Sequence, residues 1–206
     1  MRKTIPILLL AAMCAAPAAA APPTVTLKAA PMVVAYGGST TLSGVLSTKK
    51  TGQSIDIQAE DCGQTTFKKV ATATTTTGGA FSYAAKPTID TNYQAKNKGA
   101  TSPTVSIKVS PLLSLQKLSL GKFKVSVTAA QSFAGKYVVF QRLRNAKWVT
   151  LKKVTLATAA TTTAPTQVTS STFKIKLPAK LRVRSILPAA QAATCYLPAK
   201  SKVIRS

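Results

Sequence analysis

Apolar and polar residues alternate along short segments of the chain from about residue 24 onward. In residues 54–60, for example, Ile55 and Ile57 alternate with Asp56 and Gln58. A period of two places one set of side chains on the buried face of a strand and the other set in solvent. Thr, Val and Ile are frequent in these segments, and clusters of Gly, Pro, Ser and Thr separate them. The pattern therefore predicts an all-β fold.

Seven strands are predicted in each half of the chain. In the first half they cover residues 25–28, 39–47, 54–60, 66–76, 80–86, 92–97 and 104–109. In the second half they cover residues 112–118, 122–130, 136–144, 148–157, 171–177, 180–187 and 200–205, and the Thr-rich stretch 158–166 is predicted to be a loop.

The two halves also resemble each other in sequence. Residues 57–58 (Ile-Gln) match 140–141 (Phe-Gln), and residues 66–70 (TFKKV) match 150–154 (TLKKV). Such self-similarity indicates a tandem of related modules. Since a proline ends a strand, the boundary is placed near Pro111. The predicted domains are residues 21–110 and 111–206, each about 90 residues long and expected to fold independently, which is typical of a seven-stranded sandwich.

Residues 1–20 have the features of a signal peptide. A basic start at Arg2 and Lys3 precedes an apolar run over residues 5–12 and an alanine tract that ends at Ala20. The apolar run is shorter than the roughly 20 residues that span a bilayer. We therefore expect cleavage after Ala20, a secreted, extracellular protein, and no transmembrane segment in the mature chain.

The composition excludes several classes of enzyme. The chain has no His and only 4 Asp and Glu among 206 residues. His-based catalytic triads, dyads and metal sites are excluded, and paired carboxylates and magnesium sites are disfavoured. A Ser-Lys hydrolase remains the competing class, although no Ser-x-x-Lys sequence lies on a predicted helix. We predict a protein that is not an enzyme and has no metal or cofactor.

The charge is strongly basic and unevenly distributed. The chain has 28 Lys and Arg, giving a net charge of +24. Residues 21–110 have nine Lys and four acidic residues, or +5, whereas residues 111–206 have 17 Lys and Arg and no acidic residue, or +17. A field of this strength attracts polyanions, so we expect the second half to bind anionic polymers of the cell envelope or matrix. A merely solubilising charge remains the alternative.

Strand alternation places these cations on two faces of the second half. In a sandwich the second and fifth strands share one sheet, and the third, sixth and seventh strands share the other. The first sheet would present Lys122, Lys124, Lys174 and Lys176 on its outer face, and the second would present Arg182, Arg184 and Lys202. These two sets, without Lys202, are the candidate polyanion-binding residues.

A strongly cationic chain is also compatible with other functions. A secreted cationic protein that acts on nucleic acid or on membranes is the alternative function. No nucleic-acid-binding signature and no amphipathic helix is found in the sequence, so no dedicated nucleic-acid site is expected. Tyr137 and Tyr196 are expected to be the more exposed aromatic residues, and Trp148 is expected to pack in or beside the core and not to serve as a sugar platform.

The acidic residues Asp56, Glu60 and Asp61 lie within six positions of one another. Calcium requires more oxygen ligands than this short cluster offers. We therefore interpret the three carboxylates as solvated charges.

Four segments of the first half carry a family resemblance. They are residues 36–44 (YGGSTTLSG), 67–73 (FKKVATA), 78–83 (GGAFSY) and 92–95 (NYQA). Together they resemble the bacterial immunoglobulin-like and fibronectin-type-III-like repeat modules of exported surface proteins. The resemblance covers most of residues 25–109 and is weaker over the second half. It implies tandem immunoglobulin-like seven-stranded sandwiches with a scaffold, adhesion or polymer-contact role, and it implies no specific functional residue.

In such a sandwich, the two cysteines that remain after removal of the leader meet between the modules. Cys62 follows the third strand, at the end where the chain leaves the first module, and Cys195 lies between the sixth and seventh strands, at the entry end of the second. An exported protein favours disulfides. We therefore predict a Cys62–Cys195 bridge within one chain, with a disulfide-linked dimer as the alternative; the oligomeric state is otherwise left open.

Overall fold

The computed structural model describes residues 21–192 and 194–206, and the predicted leader, residues 1–20, lies outside them. Strands dominate this part of the chain, so the predicted all-β class is confirmed. The strands before Pro111 are β1 (Lys28–Ala30), β2 (Val33–Ala35), β3 (Thr40–Val45), β4 (Ser54–Asp61), β5 (Lys68–Thr74), β6 (Ala80–Ala85), β7 (Thr91–Asn97), β8 (Ala100–Thr101) and β9 (Val105–Ser110). Those after it are β10 (Leu112–Ser119), β11 (Lys122–Ala129), β12 (Tyr137–Arg144), β13 (Lys147–Thr155), β14 (Thr158–Thr161), β15 (Gln167–Lys174), β16 (Arg182–Leu187), β17 (Ala199–Lys200) and β18 (Ile204–Arg205).

The strands form four sheets, two in each half. The first half has the strand orders β1-β3-β6 and β2-β9-β7-β4-β5, with β8 paired to β7. The second half has the orders β10-β11-β15-β14 and β13-β12-β16-β17, with β18 paired to β16. Pairing is antiparallel except between β2 and β9, which run parallel.

The core lies between the sheets and follows the alternation in the sequence. Ile55 and Ile57 are fully buried, and so is Phe123. The ring of Phe123 on β11 lies 5.2 Å from Phe140 on β12 and 5.8 Å from Phe173 on β15. Because β12 belongs to the other sheet, this aromatic cluster packs the two sheets of the second half face to face, as in a sandwich.

Three predicted elements differ from the structure. The single strand expected at residues 200–205 is split into β17 and β18, which pair with opposite ends of β16. The single strand expected at residues 25–28 is replaced by β1 and β2, which lie on either side of Pro31 and pair with different sheets. The predicted loop 158–166 contains β14, which pairs with β15, so that β15 begins at Gln167 instead of residue 171. All four β14 residues are exposed. An edge strand with both faces exposed to solvent lacks the alternation of apolar and polar residues by which strands are predicted from sequence.

Both halves contain the same β-bulge. The pairing of β4 with β5 shifts between Ile57 and Gln58 and leaves Val70 without a register partner. The pairing of β12 with β13 shifts between residues 140 and 141 and leaves Leu151 without one. The sequence match of 57–58 with 140–141 therefore joins equivalent positions. The match that sets Val70 against Val154 is wrong, because the bulges align Val70 with Leu151, three residues earlier.

A serine occupies the same structural position in each half. The Ser102 Oγ accepts a hydrogen bond from the Ala95 N–H (2.9 Å) and donates one to the carbonyl of the next residue (2.9 Å). The Ser201 Oγ accepts from the Ser185 N–H (2.9 Å) and likewise donates to the next carbonyl (2.9 Å). Each serine thus satisfies a buried strand N–H that would otherwise lack a partner.

The predicted disulfide between Cys62 and Cys195 is present and joins the two halves. Cys62 directly follows β4, and Cys195 lies between β16 and β17. Their Cα atoms are 5.6 Å apart although 133 positions separate them in sequence. Closing a loop of this size stabilises the folded state by about 5 kcal/mol in the chain-entropy model.

Tyr196 completes the contact between the halves. Its hydroxyl donates to the Thr88 carbonyl (2.8 Å) in the first half and accepts from the Ala130 N–H (2.9 Å) in the second. Next to it, the Leu197 N–H donates to the Val109 carbonyl (2.8 Å). The expectation that Tyr196 is one of the more exposed aromatics is wrong, since only 5% of it is exposed. It is buried by residues distant in sequence.

Burial raises the pKa of Tyr196 to about 12. Below pH 10 the phenol is protonated in both the folded and the unfolded chain, so its stabilising contribution is fully present. Between pH 10 and 12 only the unfolded chain releases the proton, and this contribution is lost as the pH rises.

We predict that Tyr196→Phe lowers the free energy of unfolding by about 1–3 kcal/mol at neutral pH, because the partly buried Thr88 carbonyl and Ala130 N–H lose their hydrogen bonds. The difference from the wild type should shrink as the pH rises above 10. Urea unfolding at pH 7, 9 and 11 measures both effects, with Tyr137→Phe, at a half-buried tyrosine, as the matched control. A difference that stays constant over this range would contradict the assignment.

Candidate anion-binding surfaces

Lys122, Lys124, Lys174 and Lys176, here called the lysine surface, lie on or beside the sheet β10-β11-β15-β14. Lys122 of β11 is directly opposite Lys174 of β15 in the antiparallel register. All four lysines are exposed, and Lys176 lies just beyond the end of β15. The alternating residues Phe123 and Phe173 are buried. The sequence therefore placed Lys122, Lys124 and Lys174 on the outer face of the correct pair of strands, whereas Lys176 lies outside the strand in which it was predicted.

A lysine of the other sheet reaches toward this surface. The Lys152 Nζ of β13 donates to the carbonyl of Lys174 (3.3 Å) and lies 6.0 Å from the centre of the Phe173 ring. It adds positive charge where the two sheets meet. The side chains of the lysine surface itself are flexible, strongly hydrated point charges.

The second cationic set, here called the arginine surface, consists of Arg182, Arg184 and Arg205 on the sheet that contains β13, β12, β16 and β18. Arg182 of β16 is directly opposite Arg205 of β18. Arg184 is directly opposite Gln141 of β12. Lys202, which was expected on this face, lies in the connection between β17 and β18.

Arg184 is held in place by residues of two neighbouring strands. Its guanidinium carbon lies 3.9 Å from the centre of the Trp148 ring, which is a close cation–π contact. Its Nε donates to the Gln141 Oε1 (3.0 Å), and the Gln141 Nε2 in turn donates to the Thr150 Oγ1 (3.4 Å). Partial desolvation lowers the pKa of Arg184 from its ordinary value, but a guanidinium remains protonated in proteins.

This geometry leaves the two terminal nitrogens of the Arg184 guanidinium available to bind a ligand. Within residues 21–192 and 194–206, its side-chain hydrogen bond is made through Nε, and the two terminal nitrogens have no protein acceptor. A planar fork of this kind binds carboxylate or phosphate in a bidentate manner. Because Trp148 and Gln141 already fix its orientation, less side-chain entropy is lost when an anion binds.

Trp148 is half-buried and lies against Arg184. This position fits the expected packing role. A similar contact occurs on the same sheet, where the Lys153 Nζ lies 5.0 Å from the centre of the Tyr137 ring. The aromatic side chains of this face thus lie against cations.

The partners of Arg184 were not identified from the sequence. Gln141 and Trp148 lie on different strands, and their convergence depends on the register of β12 with both β13 and β16. Arg205 belongs to a strand of two residues, which is too short to show a period. The match of Gln141 to Gln58 in the first half is the one sequence signal that marks a special position, since both residues follow a bulge.

The acidic residues lie apart from these cations, in the first half. Asp56 pairs with Lys69 (2.6 Å), while Glu60 and Asp61 accept hydrogen bonds from Asn92 (3.1 Å) and Thr91 (2.8 Å). Glu60, Asp61 and the buried Asp90 line a cleft of about 350 Å³ beside the disulfide. In the described part of the chain, no group of three or more potential ligands is arranged to hold a metal ion.

The comparisons with known proteins add no family assignment. No family model matches the chain, and no curated protein shows significant similarity to it. The resemblance to immunoglobulin-like modules therefore stays a prediction. Within the described ranges, none of the helices is long and apolar enough to cross a membrane.

The stacking of Arg184 on Trp148 leads to a direct prediction. Arg184→Ala should uncover one face of the indole, increase quenching of tryptophan fluorescence by acrylamide, and cost about 1 kcal/mol of stability from the lost cation–π contact. Trp148 is the only tryptophan of the chain, so the signal is unambiguous. Arg182→Ala, two residues away on the same face, is the control and should leave quenching unchanged. Equal quenching in all three proteins would show that the stack does not persist in solution.

Proposed function

We propose that this chain is an exported, non-enzymatic contact protein made of two tandem immunoglobulin-like sandwiches, residues 21–110 and 111–206. We further propose that it binds anionic polymers of the cell envelope or matrix through its second half. The arginine surface carries this proposal: three guanidinium groups lie on one sheet face, and one of them is oriented by Trp148 and Gln141.

The strand order supports the tandem arrangement. Apart from the short β2, β8 and β14, the first, second and fifth strands of each half share one sheet, and the remaining strands form the other. This partition is typical of Greek-key sandwiches of the fibronectin type III kind, whereas immunoglobulin constant domains place the fourth strand on the sheet of the first, second and fifth. The matching bulges and the matching serines Ser102 and Ser201 support an internal repeat.

The charge distribution supports a polyanionic partner for the second half. Its 17 Lys and Arg have no acidic side chain within residues 111–206 to neutralise them. Uncompensated charge of this density costs stability through self-repulsion, and an anionic partner relieves it. Because the arginine fork matches planar carboxylates and phosphates, acidic polysaccharides and phosphate-containing wall polymers are the expected ligands.

Export is part of the proposal. It rests on the predicted cleavage after Ala20 and is compatible with the Cys62–Cys195 bridge, since disulfides persist in oxidising compartments. N-terminal sequencing of the protein recovered from the medium or envelope of the producing cells tests it. An intact N-terminus on protein kept inside the cell would contradict it.

We predict that the chain starting at Ala21 is retained on immobilised polygalacturonate and teichoic acid, and that retention falls steeply with salt because screening shortens to about 8 Å at physiological ionic strength. Arg182→Gln, Arg184→Gln and Arg205→Gln together should weaken binding more than tenfold, given the strength of charge-assisted hydrogen bonds. Titration in solution at two salt concentrations provides the affinities.

The matched control removes the same charge from the first half, at the exposed residues Lys28, Lys68 and Lys86, by substitution with Gln. It should change the affinity less than twofold. Equal losses in the two triple variants would mean that net charge alone governs binding. Stronger retention on DNA than on both wall polymers would favour the alternative of a cationic nucleic-acid-binding protein.

A further inference from the structure

The hairpin that joins β10 to β11 presents two leucines to solvent. Leu120 is 67% exposed and Leu118 is 45% exposed. Leu118 lies where the register of the hairpin shifts, and Leu120 forms the turn together with Gly121. Side chains of this size are normally removed from water when they lie together, so a pair at one tip marks an interaction site.

The turn is a defined structure. Gly121 has a φ of +68°, and a Cβ there would lie 2.9 Å from the carbonyl oxygen of Ile175. The Ile175 N–H donates to the Gly121 carbonyl (2.9 Å). The backbone beyond β15 therefore braces the turn and holds Leu120 outward.

An apolar cleft adjoins the leucines. It has a volume of about 580 Å³, and its apolar lining comes from Leu120, Ile175, Leu177 and Pro178. Lys174 and Lys176 also line it. Leu120 is thus part of a continuous apolar patch with cations at its border, and Leu118 lies two residues before it on the same hairpin.

Further lysines surround the patch. Lys117 and Lys122 flank the leucines along the hairpin, and Lys180 follows Pro178. All three side chains are exposed. Two lysines therefore line the cleft and three more lie within two residues of Leu118 or of the cleft lining, and no acidic side chain occurs in this half of the chain.

The tip points away from the contact between the two halves. β10 starts at Leu112, two residues after β9 ends beside the Val109–Leu197 hydrogen bond. It then runs for eight residues, which is about 25 Å at 3.3 Å per residue. The tip is therefore accessible without separation of the halves.

We propose that this tip docks onto an anionic lipid bilayer, with Leu118 and Leu120 inserted among the headgroups and acyl chains and the five lysines placed over the lipid phosphates. This proposal is independent of the polymer-binding function. A protruding apolar tip ringed by lysines matches the two components of interfacial binding, burial of apolar area and attraction to anionic lipid. A soluble polyanion satisfies the lysines but leaves the leucines in water, and a second copy of the tip is repelled by its like charge.

The test uses the chain starting at Ala21 and sedimentation with phosphatidylcholine vesicles that either contain or lack phosphatidylglycerol. Binding should require phosphatidylglycerol. The double variant Leu118→Ser, Leu120→Ser should bind at least tenfold more weakly, since each inserted leucine contributes about tenfold. Leu112→Ser is the matched control, because Leu112 is 46% exposed at the other end of the same strand. It should bind like the wild type.

Leu120→Lys separates insertion from simple attraction. It adds a positive charge, so a purely electrostatic contact predicts stronger vesicle binding, whereas insertion predicts weaker binding. Thermal unfolding confirms that each variant is folded. Vesicle binding that is absent, independent of the leucines, or strengthened by Leu120→Lys overturns the proposal, as does a leucine-dependent dimer that fails to bind vesicles.

The same variants distinguish this proposal from the polymer-binding function. The leucine variants should bind soluble polygalacturonate with unchanged affinity, while the triple arginine variant should still bind vesicles through its tip. A wild-type chain that shows leucine-dependent vesicle binding but does not bind polygalacturonate contradicts only the proposed function. A wild-type chain that binds polygalacturonate but shows no leucine-dependent vesicle binding contradicts only the inference about the tip.

Discussion

The buried residue Asp90 fixes how the two halves of the chain meet. Only 8% of it is exposed, and its carboxylate accepts hydrogen bonds from the Val109 N–H (2.7 Å) and from the Lys108 Nζ (2.9 Å). A buried charge requires such partners, because an unpaired carboxylate in a low-dielectric interior is strongly destabilising. The backbone of Asp90 also accepts from the Cys62 N–H (2.8 Å) and donates to the Cys195 carbonyl (3.1 Å). One residue thereby aligns both cysteines and the end of β9.

This arrangement separates the charges of the chain. Three of the four carboxylates lie around the cleft beside the disulfide, where first-half groups satisfy them. The 17 cations of the second half have no acidic side chain of that half to pair with. Their mutual repulsion opposes folding. The packed rings of Phe123, Phe140 and Phe173 and the disulfide counter it.

The sequence was sufficient to predict strands and the direction of their side chains where one face of a strand is buried and the other is exposed to solvent. Alternation located most of the long strands and placed Lys122 and Lys174 on one outer face, because burial of the intervening residues sets the direction of every side chain in a strand. The disulfide followed from the order of the strands together with the family resemblance. The strand faces depend on local alternation and the disulfide depends on strand order, and both can be read from a single sequence.

Other features depend on register and long-range contacts, which alternation does not encode. The Arg184–Trp148–Gln141 cluster forms because three strands pair in one specific alignment. The burial of Tyr196 depends on Thr88 and Ala130, which are far from it in sequence. β14 was missed because both of its faces are exposed.

The two cationic regions of the second half differ in how far their charges are fixed before a partner arrives. Arg184 is oriented by a ring and an amide, so it suits a ligand whose carboxylates or phosphates occupy fixed positions along a polymer. The lysines around Leu118 and Leu120 are flexible, hydrated charges, which suit a fluid bilayer where phosphates have no fixed positions. At the tip, the rigid part is the hairpin turn at Gly121. This turn fixes the positions of the leucines, whereas the lysines stay flexible. The same half of the chain thus presents an ordered charge on its sheet face and a mobile charge at its tip, and this physical difference supports the two different partners proposed for them.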